Sequence, residues 1–132
     1  MSVLTLTARP LSEQIRTLER GLPSSALAEV AATLGIPKAR IVEGLNLVLR
    51  TVTQREKKRE RFSPSESERI YRVVRTRALA REIFSTDAAV AEWLSSPDRS
   101  LSARTPLEML ATDLGARKVE GLLRAMMHGV PR

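Results

Sequence analysis

Apolar residues recur at helical spacing in separate stretches of this chain, and each stretch is bounded by residues that start or stop helices. One stretch has the i, i+3, i+4, i+7 spacing of a helix with a single buried face: Leu27, Val30, Ala31 and Leu34. Gly35 follows it, and glycine readily takes the left-handed conformation that ends a helix. No stretch shows the sustained alternation of a strand. The sequence therefore predicts an all-α protein.

The same signals predict a helix on each side of this stretch. Ser12 is expected to cap a first helix, with Ile15 and Leu18 facing inward. Pro37 suits the first turn of a third helix. The expected apolar face of that helix is Ile41, Leu45 and Val48. Gly44 lies inside it and weakens it by about 1 kcal/mol relative to alanine, for which close packing is one explanation.

A longer helix is predicted in the middle of the chain. Ser63 and Pro64 begin it, Ser65 and Glu68 fit a capping box, and the helical pattern continues to Phe84. A short helix carrying Trp93 is expected next, with two residues able to cap it: Thr86 and Asp87.

The most specific helix start is the segment Thr105-Pro106-Leu107-Glu108. It combines an N-cap threonine, a proline at the first helical position and a glutamate at the third. Gly115 is expected to separate this helix from the last one, and Gly129 is expected to stop the last helix. The apolar stripe of the last helix is Val119, Leu122, Leu123 and Met126.

Charge and cysteine content limit the classes of protein that fit. The 132 residues carry a formal charge of +7, and they include no cysteine, which excludes disulfides and thiolate metal sites. No apolar run has the length of a membrane span or a signal peptide, so we expect a cytoplasmic protein. Residues 1–61 hold eleven basic and six acidic side chains, against eleven and nine in residues 62–132. A polyanion site is therefore expected in the first half.

The second and third predicted helices have the proportions of a helix-turn-helix, with Gly35 in the turn. In that motif the second helix enters the major groove of DNA with its first residues leading, which here include Lys38 and Arg40. An ordinary helical hairpin fits the spacing equally well. We interpret residues 1–61 as a DNA-binding and dimerisation region with these candidate contacts: Lys38, Arg40, Arg50, Arg55, Lys57, Lys58 and Arg59.

The run from Arg55 to Arg61 has two interpretations. It suits an arm that contacts phosphates. It equally suits a solvated helix face, because Glu56 and Glu60 can pair with lysine and arginine at helical spacing.

The sequence contains no recognisable set of catalytic residues. His128 is the only histidine, and no P-loop, Gly-x-Ser-x-Gly or Gly-x-Gly-x-x-Gly motif occurs. General acid–base chemistry and metal binding both need several converging groups, which no part of the sequence suggests. We therefore expect no enzyme activity, no cofactor and no metal.

The second half carries a recognisable pattern in three segments: Ala91-Glu92-Trp93-Leu94, Pro97-Asp98-Arg99-Ser100-Leu101 and Arg104-Thr105-Pro106-Leu107-Glu108-Met109-Leu110. It continues through Thr112, Gly115, Val119, Leu122-Leu123, Met126 and His128-Gly129-Val130. In these residues the chain resembles the Xre/MbcA/ParS family of type II antitoxins. Weaker matches lie in residues 63–69 and, for the Xre-like half, 27–47. Where the family usually has one or two glycines, this chain has Ser102 and Ala103.

The resemblance implies that residues 62–132 bind a toxin of the RES-domain or ParT/MbcT type, which consumes NAD or transfers its ADP-ribose. It implies that the last helix and tail cover the toxin's NAD site, and that the first half dimerises, binds operator DNA and represses its own operon. The toxin contacts expected on this basis are Trp93, Arg104, Thr105, Pro106, Met126, His128, Gly129, Val130, Pro131 and Arg132. For Trp93, plain core packing is the alternative interpretation.

Occlusion of the NAD site by the last helix and tail is physically reasonable. A pocket for a pyrophosphate favours anions, so the carboxylate that ends the chain at Arg132 could mimic one, or the Arg132 guanidinium could pair with a toxin carboxylate. The competing hypothesis is a stand-alone helix-turn-helix regulator without a toxin.

Overall fold

The computed structural model describes residues 2–129, and within them the protein is helical, with no strand beyond an isolated bridge between Asp98 and Arg104. The prediction of an all-α fold is confirmed. The α-helices are α1 (Leu11–Arg20), α2 (Ala26–Leu34), α3 (Lys38–Gly44), α4 (Leu49–Lys58), α5 (Pro64–Ala80), α6 (Asp87–Ser95), α7 (Pro106–Met109) and α8 (Asp113–Met127). Short 3-10 helices cover Val3–Ala8 and Arg99–Leu101.

The α2 helix has the predicted form. Leu27, Val30 and Leu34 are buried, and Gly35 ends the helix in the left-handed conformation at φ +69°. The α1 helix differs from the prediction: it begins at Leu11, so Ser12 lies inside it, and Ile15 is 48% exposed. The reason is its packing partner. The Tyr71 hydroxyl of α5 donates to the Gln14 side chain, so the Gln14 side of α1 faces α5 and Ile15 faces solvent.

The predicted third helix is two helices. Asn46 takes a left-handed conformation, φ +57°, and this turn ends α3 after Gly44. Leu45 is buried as predicted, but Val48 precedes α4 as its N-cap residue and is 62% exposed, so its predicted inward orientation is wrong. Asparagine tolerates this conformation better than most residues, and that preference is the local signal for the turn.

The α5 helix begins at the predicted residue but uses a different capping box. The Ser63 hydroxyl accepts from the Glu66 N–H at 3.1 Å, and the Glu66 carboxylate accepts from the Ser63 N–H at 2.7 Å. The predicted box of Ser65 and Glu68 is therefore wrong by two residues. The helix ends at Ala80, before Phe84, whose N–H still reaches the Ala80 carbonyl at 2.8 Å in a following turn.

The caps of α6 and α7 follow the prediction, whereas the start of α8 does not. Thr86 caps α6, and Thr105 forms a capping box with Glu108 at the start of α7, as predicted. Gly115 does not separate two helices: it lies in the first turn of α8, which Thr112 caps. A Cβ on Gly115 would lie 1.9 Å from the Met109 carbonyl oxygen, so this glycine allows the end of α7 to approach α8.

Helices from the first and second halves of the chain pack against each other. The α2 helix contacts α6, and α3 contacts α7. Within residues 62–132, α5 also contacts α8. Their buried apolar side chains form one cluster that runs from Val3 to Leu123. Among the described helices, none has both the length and the apolar character that a membrane span needs.

Candidate functional site

The α4 helix presents a basic, polar face to solvent. Val52 is its buried residue. Its exposed side chains include no carboxylate: Leu49, Arg50, Thr53, Gln54, Lys57 and Lys58. Lysine and arginine contact phosphates, while glutamine and threonine form hydrogen bonds with base edges or phosphates. Five of the predicted DNA contacts lie on this helix or at its end: Arg50, Arg55, Lys57, Lys58 and Arg59. Arg59 takes a left-handed conformation, φ +54°.

Two of the predicted DNA contacts are engaged in ion pairs. The Lys38 ammonium donates to Glu56 at 2.7 Å, which joins α3 to α4. The Arg55 guanidinium donates to Glu66 at 3.0 Å and lies 3.6 Å from Glu60. In the part of the chain that the structure describes, no ion pair involves Arg50, Lys57, Lys58 or Arg59. In the Arg55 to Arg61 run, Arg55 is therefore held in ion pairs, whereas Lys57, Lys58 and Arg59 are exposed. Phosphate contact by these three side chains stays a prediction.

The α3 helix is short and borders the second half of the chain. It is seven residues long, Ile41 and Val42 are buried, and the exposed Arg40 and Glu43 line a groove against the second half of the chain. This groove has a volume of about 710 Å³ and lies between α3 and α7. Its polar lining includes Arg40, Glu43, Asn46, Arg104, Thr105 and Glu108.

The predicted toxin contacts lie in separate parts of the structure. Arg104 is exposed beside the groove, and Thr105 is half-buried as the cap of α7, where its hydroxyl accepts from the Glu108 N–H at 3.1 Å. Pro106 is buried, so it holds the start of α7 rather than a free surface. His128 and Gly129 lie at the other end of α8, about 22 Å along the helix for its 15 residues.

The loop before α7 takes the backbone conformation that glycine would favour. Ser102 and Ala103 have φ values of +57° and +65°. The loop is closed by hydrogen bonds from the Asp98 N–H to the Arg104 carbonyl and from the Ala103 N–H to the Asp98 carbonyl, both 3.0 Å. Ser102 and Ala103 therefore adopt a conformation that glycine takes without steric cost.

Trp93 is half-buried on α6 and packs near Phe84, with the ring centroids 5.9 Å apart. Within the described residues its indole Nε1 is shielded from solvent and has no hydrogen-bond partner. The geometry favours the core-packing interpretation of Trp93.

The last helix ends in exposed side chains. Val119 and Leu123 are buried against the core, and the Arg75 guanidinium of α5 donates to Glu120 at 2.7 Å. Met126 is half-buried, while Met127, His128 and Gly129 are exposed, and Gly129 has φ +67°. The predicted contacts Val130, Pro131 and Arg132 lie outside the described residues.

Sequence reasoning missed four polar residues that the fold brings into these surfaces: Glu43, Asn46, Thr53 and Gln54. For Thr53 and Gln54 a signal was available, because they lie at i+3 and i+4 from Arg50 and therefore on the same helix face. For Glu43 and Asn46 no local signal exists, since their neighbours across the groove are about 60 residues away in the chain.

Comparison with known proteins assigns both halves. The family model described as the Antitoxin Xre-like helix-turn-helix domain matches residues 13–75. The model described as the Antitoxin Xre/MbcA/ParS C-terminal toxin-binding domain matches residues 79–129.

Curated relatives agree with these models. A protein named Antitoxin Xre from Yersinia enterocolitica is 33% identical over 117 residues, which are 88% of this chain and 79% of the relative. Another Antitoxin Xre, from Photorhabdus laumondii, is 31% identical over 86% of this chain and 77% of its own length. A third, from Pseudomonas putida, is 32% identical over 61% of this chain and 51% of its own length. The chain therefore belongs to the Xre family of type II antitoxins, and it joins an Xre-like helix-turn-helix domain to an Xre/MbcA/ParS toxin-binding domain.

Proposed function

We propose that this chain neutralises a toxin of the RES-domain or ParT/MbcT type by covering the toxin's NAD site with the end of α8 and the residues that follow it. The observation that carries the proposal is the way α8 ends. A helix fixed to the core by Val119 and Leu123 delivers the exposed Met127 and His128, and Gly129 then turns the backbone. A helix packed on the core suits presentation of its end to a cleft, because the helix itself does not have to become ordered on binding.

The other toxin contacts in this proposal have different parts. Arg104 is exposed, with Glu108 as its ion-pair partner at 3.8 Å, and meets the partner directly. Thr105 and the buried Pro106 act by holding α7 in place, and Trp93 acts by packing α6. Met126 supports the tail residues His128 to Arg132, which enter the cleft. The protein acts by binding alone, without catalysis.

The second part of the proposed function is operator binding and repression of the shared operon, through a homodimer. The exposed face of α4 is the favoured contact surface, because Arg50 and Lys57 extend from it without an ion-pair partner in the described residues. Together with α3 and the turn at Asn46, α4 forms a second helix pair of helix-turn-helix proportions. A dimer would place two such helices on the half-sites of a symmetric operator.

The test of neutralisation uses the full chain and the product of the gene beside it. The two proteins are co-expressed and purified by a tag on the toxin, and NAD consumption is measured. We expect a stable complex in which NAD turnover is suppressed. A variant ending at Met127 keeps α8 and removes the tail, so it should lose potency by about tenfold or more while its thermal unfolding stays unchanged.

Each other outcome has a definite meaning. If the variant ending at Met127 inhibits as strongly as the full chain, the tail does not cover the NAD site. If the full chain forms no complex and relieves no toxicity, the stand-alone regulator is correct.

A further inference from the structure

We propose that the groove between α3 and α7 is a second docking surface for the toxin, so that the toxin contacts Arg40 and Glu43 of the helix-turn-helix domain as well as the toxin-binding domain. This inference rests on the proposed function, because the occupant is the same toxin. It assigns Arg40 to the protein partner in place of the DNA role that the sequence predicts.

The groove has a fixed floor. Gly44 at the end of α3 packs against Leu107 of α7, which is buried, so the two walls are held at a set distance. The walls come from the two halves of the chain, with Arg40 and Glu43 on one side and Arg104 and Thr105 on the other. A partner seated on Arg104 therefore meets the α3 wall as well.

The groove continues along the surface of the toxin-binding domain. A neighbouring groove of about 450 Å³ shares Arg104, Glu108 and Thr112 with it and extends to Leu114 and Lys118 of α8. Leu114 is 77% exposed, although leucine is a residue that usually lies in the core. The two grooves form one trough from α3 to α8 that offers polar groups and an exposed apolar side chain, which is the composition of a protein interface.

The charges of the trough favour a protein over a nucleic acid. Arg104 lies 3.8 Å from Glu108, whose carboxylate also accepts from the Thr105 hydroxyl at 3.0 Å, so these charges are partly satisfied. Arg40 and Glu43 have no ion pair within residues 2–129. The Glu43 carboxylate would repel a phosphate backbone, whereas a protein segment can bring an acidic group to Arg40 and a basic group to Glu43.

Charge reversal at Arg40 tests the assignment. Affinity for the purified product of the adjacent gene and for a DNA fragment from upstream of the operon is measured for the full chain, Arg40→Glu and the control Arg16→Glu on exposed α1. We expect Arg40→Glu to weaken toxin binding by about tenfold or more and to change DNA binding by less than about twofold. Arg16→Glu should leave the toxin affinity unchanged. A circular dichroism melt checks that both variants fold, and Arg40→Gln serves as a milder version.

A reporter at Glu43 gives an independent readout. The chain has no cysteine, so Glu43→Cys can be labelled at one position with a fluorescent maleimide, with Glu19→Cys on α1 as the control. Addition of toxin should change the emission at position 43 and leave that at position 19 unchanged. The inference is overturned if the toxin binds the full chain while Arg40→Glu binds it equally well, if Arg40→Glu weakens DNA binding instead, or if the label at 43 does not respond. If the toxin does not bind the full chain at all, the proposed function itself fails.

Discussion

Gly44 of α3 lies directly against Leu107 of α7: a Cβ added to Gly44 would be 3.0 Å from Leu107 Cγ and 3.2 Å from Cδ2. This contact joins the helix-turn-helix domain to the toxin-binding domain and confirms close packing as the reason for a glycine inside a helical stretch. Leu107 is buried among other core residues, so it has little room to move away.

Replacement of Gly44 should therefore lower the free energy of unfolding, although helix propensity alone would predict an increase. We expect Gly44→Ala to lower the free energy of unfolding by about 1 kcal/mol, because the crowding outweighs the gain in helix propensity. Gly121 of α8 is the control, since nothing lies within 4 Å of its added Cβ. Gly121→Ala should stabilise the protein by about 0.5–1 kcal/mol. Urea denaturation measures both, and equal gains at the two positions would contradict the packing argument.

Ala103 has a left-handed conformation, φ +65°, which costs an L-residue about 1 kcal/mol. Ala103→Gly should remove that strain and raise the free energy of unfolding by about 0.5–1 kcal/mol. The same substitution inside α8, Ala125→Gly, should have the opposite sign and cost about 1 kcal/mol. Thermal melts of the two variants distinguish these results, and a destabilised Ala103→Gly would rule out strain in this loop.

Removal of two buried hydroxyls on α5 should have different effects on the free energy of unfolding. The Ser67 hydroxyl accepts from the buried Leu22 N–H at 2.8 Å, so Ser67→Ala leaves that donor unpaired and should cost about 1–3 kcal/mol. The Thr76 hydroxyl is buried with no hydrogen-bond partner among the described residues. Thr76→Val should be neutral or stabilising by up to about 1 kcal/mol. Comparable losses from both substitutions, measured in urea, would contradict this assignment.

Asp87 connects the start of α6 to α5. Its carboxylate accepts from the Arg77 guanidinium at 2.8 and 3.1 Å, and this hydrogen bonding, with the charges of Arg77 and Arg81, lowers the pKa of Asp87 against the opposing effect of burial. The folded pKa lies below the unfolded one. The stabilisation is therefore present above the unfolded pKa and is lost as the pH falls through the folded pKa.

We expect Asp87→Asn to cost about 1 kcal/mol at pH 7, and the difference from the parent protein should vanish as the pH falls well below 4. Asp113→Asn is the control, because its ion pair with Arg117 is largely exposed and should contribute less than about 0.5 kcal/mol. Urea denaturation across the pH range checks this, and a cost that stays constant in acid would exclude the ion pair as its cause.

The exposed face of α4 predicts the salt dependence of operator binding. If Lys57 contacts a phosphate, Lys57→Gln should weaken binding and lower the slope of log K against log salt by about one for each bound copy. Arg124 is exposed on α8, and Arg124→Gln makes the same change in net charge, so it should leave the slope unaltered. Gel-shift titrations at several salt concentrations measure the slopes, and equal effects of the two variants would argue against a direct contact at α4.

The helical class and the helix starts at Ser63, Thr86 and Thr105 were predictable from local sequence patterns. A capping hydroxyl meets its partner two or three residues away, so the signal is local. The buried stripe of α2 and the stop at Gly35 are also local. The family resemblance likewise rests on short segments, and the comparisons bear it out.

Which side of a helix is buried, and which distant residues meet, depends on how the helices pack together. Ile15 is apolar but faces solvent, because α1 packs on α5 through the face that carries Gln14. The sequence predicts that Lys38 contacts DNA, yet in the structure Lys38 forms an ion pair with Glu56, eighteen residues away. At the floor of the α3–α7 groove, Gly44 lets Leu107 approach, and that contact spans 63 residues of chain. Packing of this kind depends on the shape of both partners, which neither local sequence contains.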